Sequence, residues 1–219
     1  MLTAVQATIS GLNHPPMEDN HYGSNMNNLR ILQINLQQSK AASSEALQMA
    51  LNRDIDILDI QEPYVVNGKV AMLGSGKVLT LSSNNYTTKT GVVIYNKGLT
   101  AQLVTQYSNQ YYTTVRVDTP WDPLFIISFY CSPDDNLRPL LDILSQTLDC
   151  LKGSPVLLLG DFNAKSHLWH SPVEDPREYL LCEFMAVFDL TSLNVSPLPT
   201  FSTSRGKSWV NVSGEPQFA

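Results

Sequence analysis

Four apolar runs in this chain each end in a polar group, and that repeated design constrains the fold more than any other feature. The clearest is Leu157-Leu158-Leu159-Gly160-Asp161-Phe162-Asn163-Ala164. From Val156 to Leu159 the chain offers no polar atom beyond its backbone, as a strand covered on both faces requires. Gly160 permits a tight bend or the close approach of another backbone. Side chains alternate along an extended chain, which puts Asp161 and Asn163 on one side. A carboxylate beside an amide can hold and polarise a water and hydrogen-bond an anionic oxygen. A strand running into an Asx-type turn accounts for the same residues equally well.

Three further runs repeat the design. Ile55-Asp56-Ile57-Leu58-Asp59-Ile60-Gln61-Glu62-Pro63 is strand-like and ends in an acid. Pro63 stops any helix there and biases Glu62 toward an extended conformation. Leu29-Arg30-Ile31-Leu32-Gln33-Ile34-Asn35-Leu36 alternates, with Asn35 near its end, and Leu124-Phe125-Ile126-Ile127-Ser128-Phe129-Tyr130 is largely apolar until Tyr130. Sheet enzymes place sites where rigid strands meet water. Packing alone does not explain why all of these strands deliver a hydrogen-bonding or metal-binding group at the same end.

Around these strands the chain reads as one α/β domain. Residues 1–28 are rich in Asn, Pro, Gly, Ser and His without periodicity, which predicts a flexible extension. Ala46, Leu47, Ala50 and Leu51 predict a helix over Ser43–Asn52 with a serine cap before it. Shorter strands are expected at Val70–Leu73, Lys77–Leu81, Gly91–Tyr95, Ala101–Gln106 and Tyr112–Val117. Leu137, Leu140, Leu141, Leu144, Leu148 and Leu151 recur at three and four, the stripe of a core-facing helix. A last helix is predicted from Arg177 to Phe188, with Leu180, Leu181, Phe184 and Phe188 inward. Many strands with a few long helices point to two packed sheets covered by helices.

At 219 residues the chain can build a full sandwich core. Its net charge of −6 is not that of a tight non-specific DNA binder, although Lys89, Lys165, Arg205 and Lys207 offer a local basic rim. Cys131, Cys150 and Cys182 are too few and too irregular for a disulfide framework or a zinc site. Free thiols fit a reducing, intracellular compartment, nucleus or cytoplasm undistinguished. No secretory signal or membrane-length apolar run is evident.

The strand-end motifs bring a known family into view. Gln33-Ile34-Asn35-Leu36, Gln61-Glu62-Pro63-Tyr64, Lys89-Thr90-Gly91-Val92-Val93-Ile94-Tyr95, Ser128-Phe129-Tyr130 and Gly160-Asp161-Phe162-Asn163-Ala164-Lys165-Ser166 occur in the order of the endonuclease/exonuclease/phosphatase superfamily, which they resemble. Leu168-Trp169-His170-Ser171 and Pro199-Thr200-Phe201-Ser202 continue the series. Within it the chain is most similar to the apurinic/apyrimidinic-type endonuclease domains of insect-type non-LTR retrotransposons. The resemblance covers roughly residues 29–212.

That resemblance implies a four-layer α/β sandwich and phosphodiester hydrolysis, the nicking of DNA, with Mg²⁺ or Mn²⁺. It implies Glu62 as the main metal ligand and Asn35 as an auxiliary residue of the metal region. It implies Asp161 as the group that orients or deprotonates the attacking water. Tyr130 and Asn163 would bind the scissile phosphate and stabilise its charge. A histidine after such a strand could act as a base, but the run that holds His170 reads as structural or DNA-facing. A full-length element would add a reverse transcriptase domain; no membrane partner is implied.

Two departures qualify the activity. Where the family carries an aspartate this chain has Asn211, and no closing Ser-Asp-His motif follows. Residues 29–219 are therefore expected to form the domain without its final strand, leaving an unpaired edge and a weak or inactive, truncated copy. Asp59, inside an apolar strand, reads as solvated near the strand end or as decay. A non-catalytic remnant and a phosphomonoesterase are the competing readings; the Asp161–Ser171 run disfavours the second.

Overall fold

The structure is a computed structural model that describes residues 5–10, 28–82, 87–119, 122–193, 201–203, 206–208 and 211–216, with side chains from 28–82, 87–119 and 122–193. The first half runs through β1 (Val5–Ser10), β2 (Asn28–Asn35), α1 (Lys40–Asn52) and β3 (Ile57–Gln61). The short β4 (Val65–Val66), β5 (Lys69–Val70) and β6 (Lys77–Leu79) lead to β7 (Thr90–Ile94). The second half opens with β8 (Thr100–Leu103), β9 (Tyr112–Asp118), β10 (Leu124–Tyr130), α2 (Leu137–Cys150) and β11 (Val156–Asp161). It closes with α3 (Pro176–Val187), β12 (Leu190–Ser192), β13 (Phe201–Thr203), β14 (Gly206–Ser208) and β15 (Asn211–Pro216).

Each half is built on one parallel strand pair joined through a helix. β2 pairs parallel with β3 across α1, and β10 pairs parallel with β11 across α2. Parallel neighbours need such a crossover, and both leave their C-terminal ends at the same edge. The first sheet has the order β1-β2-β3-β7-β6, the second β12-β15-β11-β10-β9-β8. Asn35 pairs with Gln61 in the first ladder and Tyr130 with Asp161 in the second, so the site-bearing ends come level.

Period-two alternation sorts the side chains into three apolar layers. Between the sheets lie Leu29, Ile31, Ile57, Val92, Val115, Ile126, Leu157 and Leu159. On the outer face of the first sheet, Leu32, Ile34, Leu58 and Ile60 meet Ala42, Ala46 and Ala50 of α1. On the outer face of the second, Ile127, Phe129 and Leu158 meet the leucine stripe of α2 and Leu181 and Phe184 of α3. The order is helix, sheet, sheet, helices: the expected four-layer α/β sandwich. Gly160 is required by a close approach, since a Cβ there would stand 2.5 Å from the Phe129 carbonyl oxygen. The Phe129 ring stacks on Phe162 at 4.5 Å between centroids.

Several expectations need correction. Val5–Ser10 is not loose chain but an edge strand, antiparallel to β2; its alternating Val5, Ala7 and Ile9 suit a ladder that composition alone had hidden. Positions 11–27 lie outside the described residues. Among the described residues β1 pairs with β2 and β15 with β11. α1 begins at Lys40 with Ser39 as its cap and buries Ala42, Ala46 and Ala50, while Leu51 is 55% exposed. Ala101–Gln106 splits into β8 and a short 3-10 turn over Thr105–Tyr107.

Leu144 has no exposed surface and sits mid-stripe on α2. Leu144→Ala should cost about 2–5 kcal/mol in urea denaturation, through lost burial and a residual cavity. A variant as stable as the parent would mean α2 does not pack on the second sheet.

Candidate active site

The face between the sheets changes character along each strand. Reading toward the C-terminal ends, β2 presents Leu29, Ile31, Gln33 and Asn35, and β3 presents Ile57, Asp59 and Gln61. β10 presents Ile126, Ser128 and Tyr130, and β11 presents Leu157, Leu159 and Asp161. Apolar packing gives way to hydrogen-bonding groups in all four strands at the same level.

Asn35 joins the two halves at that edge. Its Nδ2 donates to Glu62 Oε2 at 3.0 Å and to Asp161 Oδ2 at 2.7 Å. Its Oδ1 accepts from the Gln37 backbone N–H at 2.8 Å, which fixes the amide orientation. The nitrogen therefore braces both carboxylates. Glu62 follows β3 in a left-handed conformation, φ 46°, held by Glu62 N–H to Lys89 O and Gln38 N–H to Glu62 O, both 2.8 Å. The extended conformation expected before Pro63 is not adopted. For a glutamate this is strained backbone, and such strain persists where surrounding bonds over-determine it.

Asp161 and Asn163 do not share one side of an extended chain either. Asn163 turns left-handed at φ 48°, and its N–H donates to Asp161 Oδ1 at 3.0 Å, an Asx-type turn. Its Nδ2 donates to the Cys131 carbonyl at 3.0 Å, next to Tyr130. The turn is thus the device that presents the asparagine. Asn35, Glu62, Tyr130, Asp161 and Asn163 are brought together from both sheets.

Burial pushes the Asp161 carboxyl up to about 7, against the Asn35 and Asn163 hydrogen bonds that favour its charged form; the Glu62 charge adds to the rise. Burial also raises the Tyr130 phenol well above its usual range, and the charge and hydrogen bond of Glu62 and the charge of Asp161 reinforce it. Tyr130 therefore stays protonated and able to donate. Lys89 Nζ lies 5.7 Å from the centre of the Tyr130 ring, 4.8 Å from that of Tyr111, and 3.3 Å from Asp135.

Two carboxylates converging on one amide are an oxygen-donor set of the kind a hard divalent cation takes, with waters completing its shell. Among the described residues no group of three or more His, Cys, Asp or Glu could hold a metal. His170 is exposed, in a left-handed position that ends the short 3-10 turn His167–Trp169. His167 Nδ1 lies 2.7 Å from the Ser171 carbonyl oxygen, and buried Trp169 donates to the Ala164 carbonyl at 3.0 Å. That run is a structural loop. Lys165 is exposed; Arg205 and the side chain of Lys207 lie outside the described residues. β15 sets Asn211 opposite Asp161 in the ladder.

The family described as endonuclease-reverse transcriptase matches residues 124–213. The endonuclease domain of TRAS1, a telomere-specific non-LTR retrotransposon, superposes with a TM-score of 0.77 at 28% identity, over 86% of this chain and 85% of that one. The chain thus resembles the retrotransposon endonucleases of the endonuclease/exonuclease/phosphatase superfamily in fold and in its matched segment. An apurinic/apyrimidinic endonuclease from Archaeoglobus fulgidus shares the fold at TM-score 0.58 and 14% identity, over 85% of this chain and 86% of that one. So does a mannosyl-6-phosphatase from Bacteroides thetaiotaomicron, at 0.61 and 11%, over 86% and 85%. No curated protein matches the chain. No helix among the described residues is long and apolar enough to cross a membrane.

Beneath the site lies a polar network that no motif announces. Gln33 Nε2 donates to Gln61 Oε1 at 2.7 Å, and Gln61 Nε2 donates to Asp59 Oδ2 at 2.6 Å and to Ser128 Oγ at 3.2 Å. Asp59 is fully buried, so it is not solvated as its sequence position implied; the apolar surroundings push its carboxyl from 3.8 to about 7. Asp59 Oδ1 and Gln33 Oε1 are both buried acceptors without a donor, and the two residues are partners in the β2–β3 ladder. Burial favours the protonated carboxyl, which carries no charge into the core.

The folded carboxyl thus binds its proton more tightly than the unfolded one. Its contribution to stability is full below the unfolded value near 3.8 and is lost as pH rises through about 7. Asp59→Asn, which carries a permanent donor, should gain stability relative to the parent across that rise. Thermal melts of both proteins from mildly acidic to mildly alkaline pH measure it; a constant difference would mean Asp59 does not titrate in the fold.

Proposed function

We propose that this chain is a divalent-metal-dependent phosphodiesterase that nicks DNA, in the manner of a non-LTR retrotransposon endonuclease. The observation that carries the reading is the Asn35 amide bridging Glu62 and Asp161 across the two sheets. Only Glu62 and Asp161 bring carboxylates to this cluster, and their packing against one amide favours a compensating cation. Glu62 is the proposed ligand for Mg²⁺ or Mn²⁺, with Asn35 holding it in place. A bound divalent cation supplies Lewis-acid polarisation of a phosphoryl oxygen there.

The remaining steps belong to the side chains. Asp161, poised at about 7, accepts the proton of the attacking water, since a base is most effective near its operating pH. Tyr130 hydrogen-bonds through its hydroxyl to a phosphoryl oxygen as negative charge grows, and Asn163 donates its amide alongside; the water oxygen bonds to phosphorus as the P–O bond to the leaving sugar breaks, and solvent protonates the departing alkoxide. Lys89, ion-paired with Asp135 beside Tyr130, is placed to meet a neighbouring phosphate. Reverse transcriptase would be its partner in a full-length element, as the matched family's description indicates.

Nicking of supercoiled plasmid with Mg²⁺ tests the assignment, with a sugar phosphate as the competing substrate. Asp161→Asn should lower the nicking rate by about 10²–10⁴-fold, the usual cost of losing a general base. Glu62→Gln should abolish both nicking and the upward shift in melting temperature that Mg²⁺ gives any native-state binder. An equal Mg²⁺ response in the parent and Glu62→Gln would remove Glu62 from the metal site. Phosphate release without nicking would make the chain a phosphomonoesterase.

A further inference from the structure

The first turn of α3 sends one side chain back beneath the site. Asp175 caps the helix by accepting from the N–H groups of Arg177 and Glu178 at 3.0 and 3.1 Å, and Pro176 fills the first helical position. Arg177 then reaches the exits of β10 and β11. Its Nη1 donates to the carbonyl oxygens of Ser132, Pro133 and Asp135 at 3.2, 3.2 and 2.9 Å. Its Nη2 donates to the Phe162 carbonyl oxygen and to Cys131 Sγ, each at 2.8 Å.

Two of the residues it bonds adjoin site residues. Cys131 follows Tyr130, and Phe162 precedes Asn163. Two weaker ties already join these loops, Cys131 N–H to the Asp161 carbonyl and Asn163 Nδ2 to the Cys131 carbonyl, both 3.0 Å. Both are neutral hydrogen bonds, whereas Arg177 adds charge-assisted ones from a planar fork. None of its five contacts is with a carboxylate. α3 itself is held to the sandwich by Leu181 and Phe184, which leaves the arginine a task separate from packing the helix.

We propose that Arg177 is a positioning residue: it sets the spacing of Tyr130 and Asn163, and so shapes their pocket for a tetrahedral phosphoryl anion. The proposal rests on the hydrolytic reading above. Lysine is a poor substitute, because a point charge on a flexible stem cannot hold several acceptors in fixed directions. Misplacing reacting groups by an ångström is enough to cost about a hundredfold in rate.

Two measurements on the full chain test this. In nicking kinetics, Arg177→Ala should lower kcat about a hundredfold while KM for plasmid DNA moves far less. Guanidinium ion at sub-denaturing concentration should restore part of kcat, where the same concentration of sodium chloride does not. Arg177→Lys should fold and remain impaired, which preserves the test if the alanine variant does not fold.

The second measurement needs no activity. Cys131 is buried against Arg177, so its alkylation, followed peptide by peptide, reports opening of the tied loops. Labelling should accelerate in Arg177→Ala and Arg177→Lys well below their melting temperatures, and guanidinium ion should slow it again in the alanine variant. Unchanged Cys131 protection, or a kcat loss that guanidinium ion does not relieve, would overturn the proposal. A parent chain that does not nick fails the hydrolytic reading instead, and Cys131 labelling still decides whether Arg177 ties the loops.

Discussion

One amide holds the two halves of this protein at their working edge. Asn35 belongs to the first sheet, Asp161 to the second, and Glu62 to a strained loop between strands, yet a single nitrogen reaches both carboxylates. The geometry requires that β2 and β11 end at the same height and face each other across the core. That follows from the parallel pairs and from the apolar residues below, which set the distance between the sheets. The site is therefore a consequence of sheet packing, and a shift of one sheet would part its carboxylates.

The inter-sheet face shows how a core can be graded into a site. Leucine and isoleucine fill its lower part, where water is absent and nothing polar is needed. Gln33, Asp59, Gln61 and Ser128 form a buried layer above them, and Asn35, Tyr130 and Asp161 lie above that. Buried polar groups are costly unless paired, and fully satisfied networks rigidify what they support. This layer gives the strand ends directional bonds that apolar contacts cannot supply. Asp59 has a place in that layer as an acceptor for Gln61.

Local strain serves the same end. Glu62, directly after β3, and Asn163, two positions past β11, both take left-handed backbone conformations, and both are pinned by hydrogen bonds. A regular strand would have carried these side chains on along its own axis. The sharp turns aim them toward the cleft, and Arg177 fixes the loops from which Tyr130 and Asn163 emerge.

Much of this was legible in the residues themselves. Alternation and apolar runs located β2, β3, β10 and β11, the leucine stripe located α2, and the strand-end motifs picked out Asn35, Glu62, Tyr130, Asp161 and Asn163. Those signals are local, because strand and helix periods are written in neighbouring positions. What needed the tertiary structure is what joins residues far apart in the chain. The Asn35 amide meets a carboxylate 126 positions away, and Arg177 grips a loop more than 40 positions before it. Val5–Ser10 becomes a strand only because β2 offers an edge, and the Asp59 carboxyl is pushed up only because the closed core buries it. The sequence by itself determined which groups stand at the strand ends; their spacing, backbone strain and protonation were decided when the two sheets closed on each other, since distance and dielectric exist only in the folded chain.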